Sequence, residues 1–381
     1  MIKRRPRILT GTHFMLGNFA AVEGALAAGC NFFAGYPITP ANEVSERMAE
    51  RMPEVGGKFL QGEDELCSIY ALAGAALAGA KVMTATASAG FDYMAEGIEY
   101  AISDEIPMVI MDVQRTRGEN FATQADVMQM RWGSAGDHEL IVLAPSSVQE
   151  LFNYTVRAFN LAEKYRNPVI VMSETTIALM REKLVIPAAD KIEIYNRKMT
   201  AAKPGAYAPF KAELGGVPEM APLGKGYNVL YSINPHNEYG SIKWEPEIFE
   251  RQYERITGKI LMNLDDIVSS DEYQTEDAEL ILIAYGSESR PCRDAVDIAR
   301  AKGQKVGLLK LNTVWPVPEK QILAAAKKAK KILAVEMNTG KYAGEIERLA
   351  GCHAEVRRVT KNLGTIHTSG EIHSAIEEVL K

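Results

Sequence analysis

The chain has 381 residues, too many for one compact core and enough for two or three domains. Its 47% hydrophobic and 24% charged residues are ordinary for a globular protein, and a formal charge of -6 without a basic stripe argues against nucleic-acid binding. No run approaches the roughly 20 apolar residues that span a bilayer. The basic lead-in over 1–7 has no apolar core behind it, so a cytoplasmic location is expected.

The pattern predicts an Ala-rich helix over 17–29, a short strand over 31–35 and a loop at Tyr36, Pro37, Ile38, Thr39 and Pro40 that its two prolines bar from helix. Helical spacing resumes over 41–51, a strand follows at 58–61, and 63–78 forms a second Ala-rich helix. The strand at 82–86 ends in Ser88, Ala89 and Gly90, a turn opening a helix near 91–101. Strands at 107–112, 140–144 and 168–172, with a helix over 147–164 between the last two, are almost wholly apolar. Such strands separated by helices predict a doubly wound parallel sheet, buried on both faces, over 1–190.

Periodicity weakens over 191–276, which reads as a linker and surface excursion. A second, smaller α/β pattern covers 277–381. It has strands at 278–284, 306–311, 331–336 and 354–359, helices at 291–303 and 319–329, and a terminal helix near 370–380. The four cysteines, Cys30, Cys67, Cys292 and Cys352, form no Cys-x-x-Cys pair, so an iron–sulfur cluster or a zinc ion is not expected on this chain.

Neither the phosphate-loop nor the dinucleotide glycine signature occurs, nor the Gly-Asp-Gly with distal Asn that holds Mg²⁺ and diphosphate in thiamine enzymes. Glu65 opens the 63–78 helix after a strand, and small residues at Ala71, Ala73, Gly74, Ala78 and Gly79 allow close packing. Glu63, Asp64 and Glu65 together would also suit a helix N-terminus on electrostatic grounds alone.

Glu65 with its helix, the Tyr36–Pro40 loop one strand earlier and the Thr84, Thr86, Ser88, Gly90 stretch one strand later resemble the alpha subunits of 2-oxoacid:ferredoxin oxidoreductases, the 2-oxoglutarate type in particular. The resemblance covers most of the chain and is strongest over 15–180. It implies a thiamine-pyrimidine-binding domain followed by a transketolase C-terminal-like domain, for which stretches 284–289, 311–316 and 335–338 speak. Trp315 and Pro316 are read there as packing residues.

It also implies roles. Glu65, with Glu63 as fallback, would hydrogen-bond N1′ of the aminopyrimidine and favour the tautomer that activates the thiazolium C2. Thr39 would lie beside the thiazolium and the substrate carboxylate, with Pro37, Ile38, Ser88 and Gly90 lining the cofactor. Arg115, or its neighbour Arg117, would bind the carboxylate through its planar fork. Gly136, Asp137 and His138 resemble a family segment near the active centre. After Arg115 the chain lacks the Gly-Pro-Ser-Thr-Gly loop usual in the oxoglutarate type, which leaves substrate identity open.

The implied enzyme oxidatively decarboxylates a 2-oxoacid, 2-oxoglutarate first, to an acyl-CoA and CO₂ while reducing ferredoxin. Thiamine diphosphate would be shared with a beta subunit, Mg²⁺ and [4Fe-4S] clusters would sit on partner chains, and gamma and ferredoxin-like delta subunits would join a hetero-oligomer. The alternatives are the same chemistry on pyruvate, a branched-chain or an aryl 2-oxoacid, a lipoyl-linked dehydrogenase subunit, or a non-catalytic assembly or regulatory subunit.

Overall fold

The computed structural model describes residues 8–116, 120–362 and 364–381, so the basic lead-in lies outside them. The first domain runs β1 (Gly11–Leu16), α1 (Gly17–Ala27), β2 (Phe32–Gly35), α2 (Asn42–Val55), β3 (Lys58–Gln61), α3 (Glu65–Leu77), β4 (Val82–Thr86), α4 (Ala89–Ser103) and β5 (Met108–Gln114). It continues through α5 (Gln129–Trp132), β6 (Ile141–Leu143), α6 (Val148–Tyr165), β7 (Pro168–Glu174), α7 (Thr175–Leu179) and β8 (Arg181–Ile186). Then come α8 (Pro246–Leu261), α9 (Leu264–Ile267), β9 (Ser270–Tyr273), β10 (Leu280–Tyr285), α10 (Ser289–Ala301), β11 (Val306–Leu311) and β12 (Thr313–Trp315). The chain ends on α11 (Glu319–Lys328), β13 (Lys331–Glu336), α12 (Ala343–Ala350), β14 (Glu355–Thr360) and α13 (Ser369–Leu380).

The first sheet has the order β12-β6-β7-β5-β4-β2-β3, parallel except for β12. Every residue of β4, β5 and β7 is buried, as continuous apolar runs require when helices cover both faces. The second sheet, β14-β13-β10-β11-β9, is parallel apart from its edge strand β9. One hydrophobic core runs from Ile69 and Met94 of the first domain through Val127 and Met130 to Trp315, Ile332 and Tyr342. Trp315 packs edge-on against both Trp132 and Tyr342 and donates its ring N–H to Val127 O at 2.7 Å. Among the described residues no helix is long and apolar enough to cross a membrane.

Several elements escaped the sequence pattern. β1 and β8 pair as an antiparallel ribbon outside both sheets. The stretch over 191–276 carries helix α8, whose buried face is Arg255, Ile256, Lys259 and Ile260; two charges on the inner face disguised its periodicity. That stretch is fastened to the first domain by buried arginines. Arg197 pairs with Glu163 at 2.5 Å and donates to Ala76 O and Ala80 O, and Arg166 donates to Pro209 O, Pro218 O and Glu219 O.

Candidate active site

In an open parallel sheet, ligands settle at the carboxyl ends of the strands where the strand order reverses. In the first sheet the chain passes from β2 outward to β3 and then returns to β4 on the other side of β2, so that crevice lies at the ends of β2 and β4. The Tyr36–Pro40 loop leaves one end, and Ser88 and Gly90 leave the other. The loop is held by Ala41 N–H on Ile38 O at 2.8 Å and by Asn18 Nδ2 on Pro40 O at 2.8 Å. Pro37 is exposed, Ile38 and Thr39 are half-buried, and the Thr39 hydroxyl accepts from Asn42 Nδ2 at 3.2 Å.

Glu65 is the first residue of α3, after Asp64 caps the helix by accepting from Cys67 N–H at 2.6 Å. The neighbouring acids part company here: Glu63 is exposed, whereas Glu65 is 7% exposed. The Glu65 carboxyl lies against the backbone of Gly90. A Cβ on Gly90 would stand 2.3 Å from Glu65 Oε1 and 2.1 Å from Thr86 Oγ1, so only glycine leaves the carboxyl its place. Burial pushes the Glu65 carboxyl above its usual range and the Asp64 charge adds to this, against the pull of its own N–H and the Thr86 hydroxyl. A carboxyl biased toward its protonated form suits a proton shared with a ring nitrogen.

Ser88 joins this corner to Arg115. Its φ of 35° is unusual for a residue with a side chain, and neighbours fix it there. Its N–H donates to Asp112 Oδ1 at 2.9 Å and its hydroxyl donates to Asp126 Oδ2 at 2.5 Å. The same hydroxyl accepts from Arg115 N–H at 3.3 Å. Arg115 is half-buried and its guanidinium donates to Asn120 Oδ1 at 3.0 Å. Ser88, Arg115, Asp126, Asn338 and Lys341 line a cleft of 370 Å³ between the two domains. Arg117 lies outside the described residues.

Asp112 ends an otherwise apolar run and is fully buried, with Oδ2 unpartnered. Burial, and then the Asp126 charge, push its carboxyl well above the ordinary range. A carboxyl whose folded pKa is raised contributes its full stability below its unfolded value near 3.8 and loses it as pH rises through the folded value. Asp112→Asn keeps the acceptor for Ser88 N–H and removes the proton linkage. Its unfolding free energy relative to wild type is therefore expected to climb as pH rises above about 4, at up to ~1.4 kcal/mol per pH unit for as long as the buried carboxyl stays protonated, as denaturant melts across pH would measure. A flat difference would rule out a buried protonated Asp112.

His138 sits elsewhere. Its Nδ1 lies 2.8 Å from Glu99 Oε2 and its Nε2 lies 3.2 Å from the Ser134 hydroxyl. Glu99 is ten residues along α4 from Ala89, about 15 Å by helical rise, so this pair is remote from the Glu65 end. Sequence reasoning missed Asp112, Gln124 and Asp126, and took Thr86 only as part of the resembling stretch. A lone carboxylate closing an apolar strand was the available signal for Asp112; the others declare themselves only through tertiary contacts.

The fold and site define a two-domain α/β protein whose crevice opens at the carboxyl edge of the first sheet, beside the second α/β domain. Residues 23–255 match the family model described as pyruvate flavodoxin/ferredoxin oxidoreductase, thiamine diP-binding, and 278–372 match pyruvate:ferredoxin oxidoreductase core domain II. The chain belongs to the pyruvate flavodoxin/ferredoxin oxidoreductase family. It is 46% identical over 373 residues to the 2-oxoglutarate synthase subunit KorA of Methanothermobacter marburgensis, covering 97% of this chain and 99% of that one. It is 34% identical to the ketoisovalerate oxidoreductase subunit VorB of the same organism, covering 97% and 98%. Among solved structures, 2-oxoglutarate:ferredoxin oxidoreductase from Magnetococcus marinus, with 2-oxoglutarate, coenzyme A and succinyl-CoA bound, superposes with a TM-score of 0.91 at 29% identity. That match covers 98% of this chain and 66% of the other.

Proposed function

We propose that this chain is the pyrimidine-binding subunit of a CoA-acylating 2-oxoacid:ferredoxin oxidoreductase acting on 2-oxoglutarate. The observation that carries the reading is the buried Glu65 carboxyl, biased toward protonation and seated on Gly90 beside the crevice. These residues fit the aminopyrimidine half of thiamine diphosphate. Glu65 would hold a proton at the pyrimidine N1′, with Pro37, Ile38, Ser88 and Gly90 shaping the surrounding wall. When bound, the cofactor supplies a nucleophilic carbon for the 2-oxo group and an electron sink for the departure of CO₂. Arg115 would bind the substrate carboxylate from the end of β5, and Thr39 would orient it from the end of β2 on the same edge of the sheet.

The diphosphate and Mg²⁺ would be held by a beta subunit, with [4Fe-4S] clusters on partner chains, gamma and ferredoxin-like delta subunits completing the assembly and ferredoxin accepting the electrons in the cytoplasm. The 46% identity to a 2-oxoglutarate synthase subunit favours 2-oxoglutarate, while the 34% identity to a ketoisovalerate oxidoreductase subunit supports a branched-chain 2-oxoacid as second reading.

The test is reduction of ferredoxin or viologen by the complex purified with its partner chains. The panel is 2-oxoglutarate, pyruvate, 2-oxoisovalerate and an aryl 2-oxoacid, each with and without CoA. CoA-dependent reduction with 2-oxoglutarate in clear preference is the expected result. Preference for another oxoacid would assign the altered segment after Arg115 to substrate choice, and no reduction with any of them would refute the enzymatic reading.

A further inference from the structure

The second sheet has a reversal crevice of its own. The chain passes from β10 to β11 and then to β13 on the other side of β10, so the ligand position of this sheet lies at the ends of β10 and β13. A residue of the first domain, Gln124, occupies it. Gln124 is 1% exposed; its Nε2 donates to Tyr285 O at 2.8 Å and its Oε1 accepts from Met337 N–H at 2.9 Å. Its backbone N–H donates to Met337 O at 2.9 Å and its carbonyl accepts from Asn338 Nδ2 at 2.9 Å. Asn338 is in turn held by Glu336 Oε2 at 2.7 Å. Next to the carboxamide stands Gly286 at φ 56°, where a Cβ would come within 2.9 Å of Gln124 Nε2. This one side chain thus fills the crevice at the ends of β10 and β13.

From Gln124 the contacts lead directly to Arg115. Two residues on, Asp126 N–H donates to Gln114 Oε1 at 3.0 Å and Asp126 Oδ2 receives the Ser88 hydroxyl that touches Arg115 N–H. On the other side, Asn120 holds the Arg115 guanidinium, and Phe121 O accepts from Thr116 N–H at 2.9 Å. We propose that Gln124 is a positioning residue through which the second domain, its crevice filled by residues 123–124 rather than by a ligand, sets Arg115 against the 2-oxoacid carboxylate. The substrate half of this statement rests on the function proposed above.

The experiment uses the complete complex carrying Gln124→Ala, Gly286→Ala or both. Gly286→Ala reaches the same carboxamide from the other domain and leaves Gln124 itself intact. A displaced binding group a fraction of an ångström out of place predicts a rise in KM for the 2-oxoacid of about tenfold, with kcat and thiamine diphosphate affinity little changed. Amide exchange over 120–126 should quicken in both variants while the sheet strands stay protected. The double variant should fall short of the sum of the singles. Unchanged exchange over 120–126, or faster exchange with KM unmoved, would overturn the proposal. A wild-type complex that oxidises no 2-oxoacid would instead sink the functional reading, and with it the substrate half of this one, whatever the exchange shows.

Discussion

Glu65→Ala is expected to lower 2-oxoacid-dependent ferredoxin or viologen reduction by about 10²–10⁴-fold, the range supplied by one positioned acid–base group. The loss should fall on kcat, because in the role proposed for it the side chain would act on the cofactor and not on the 2-oxoacid. Glu65→Gln tests the proton specifically: an amide fills the space against Gly90 but cannot share an acidic proton with a ring nitrogen, so it too should be severely impaired. Glu63→Ala is the control. Glu63 is exposed in the turn before α3, and its removal should leave turnover within about twofold, as for other surface substitutions. Retention of thiamine diphosphate by each variant, measured on the purified complex, separates lost chemistry from lost binding. Near-full turnover in Glu65→Ala would remove this residue from the mechanism.

Glu105→Gln is expected to cost about 3–5 kcal/mol of stability, the range for breaking a buried ion pair from one side. Glu105 is completely buried between Arg255 Nη2 at 2.6 Å and Lys259 Nζ at 2.9 Å, and Arg166 Nε donates to its backbone carbonyl at 3.0 Å. Burial pushes this carboxyl up, but Arg255, Lys259 and Arg166 together outweigh it and hold the group far below the carboxylate range. Lys259, which shares the carboxylate with Arg255 alone, is instead brought down to about 8 by burial.

After Glu105→Gln, Lys259 escapes by shedding its proton, whereas the arginines stay charged and carry the cost. A carboxyl with a depressed folded pKa contributes its stability above its unfolded value near 4.5 and loses it as pH falls toward the folded value. The gap between wild type and Glu105→Gln should therefore be full at neutral pH and shrink on acidification below about 4. Unfolding midpoints across that pH range measure it, and a variant as stable as wild type at pH 7 would show the cluster to be dispensable. Because this cluster pins α8 onto the turn before β5, the same variant should loosen the 191–276 stretch first.

Much of this molecule was legible in its sequence. β4, β5 and β7 announce themselves as apolar runs because a parallel strand covered on both faces has no polar side to show. Glu65 stood out because an acid opening a small-residue helix after a strand is a local feature. What stayed hidden shares a physical cause. Gln124 binds partners 161 to 214 positions away, and a lone glutamine in a polar segment carries no local mark of such contacts. α8 buries Arg255 and Lys259, so its inner face reads as surface until Glu105 is placed against it. Arg115 was visible, but Ser88, Asp126 and Asn120, which fix it, come together only when two strand ends and a loop meet.

The antiparallel strand β12 has a consequence for how the gene can be divided. It leaves the second sheet after β11 and closes the edge of the first, pairing Thr313 with Leu143 and Trp315 with Val142. A chain stopped near residue 277 would keep the ends of β2 and β4 but lose Asn338 and Lys341 from the cleft, and it would leave β6 with a bare row of N–H and C=O groups, an invitation to pair with another molecule. The two halves are therefore not interchangeable modules: recombination at the apparent boundary would yield a fragment prone to self-association, whereas a cut after residue 316 would respect the sheet but sever the second core.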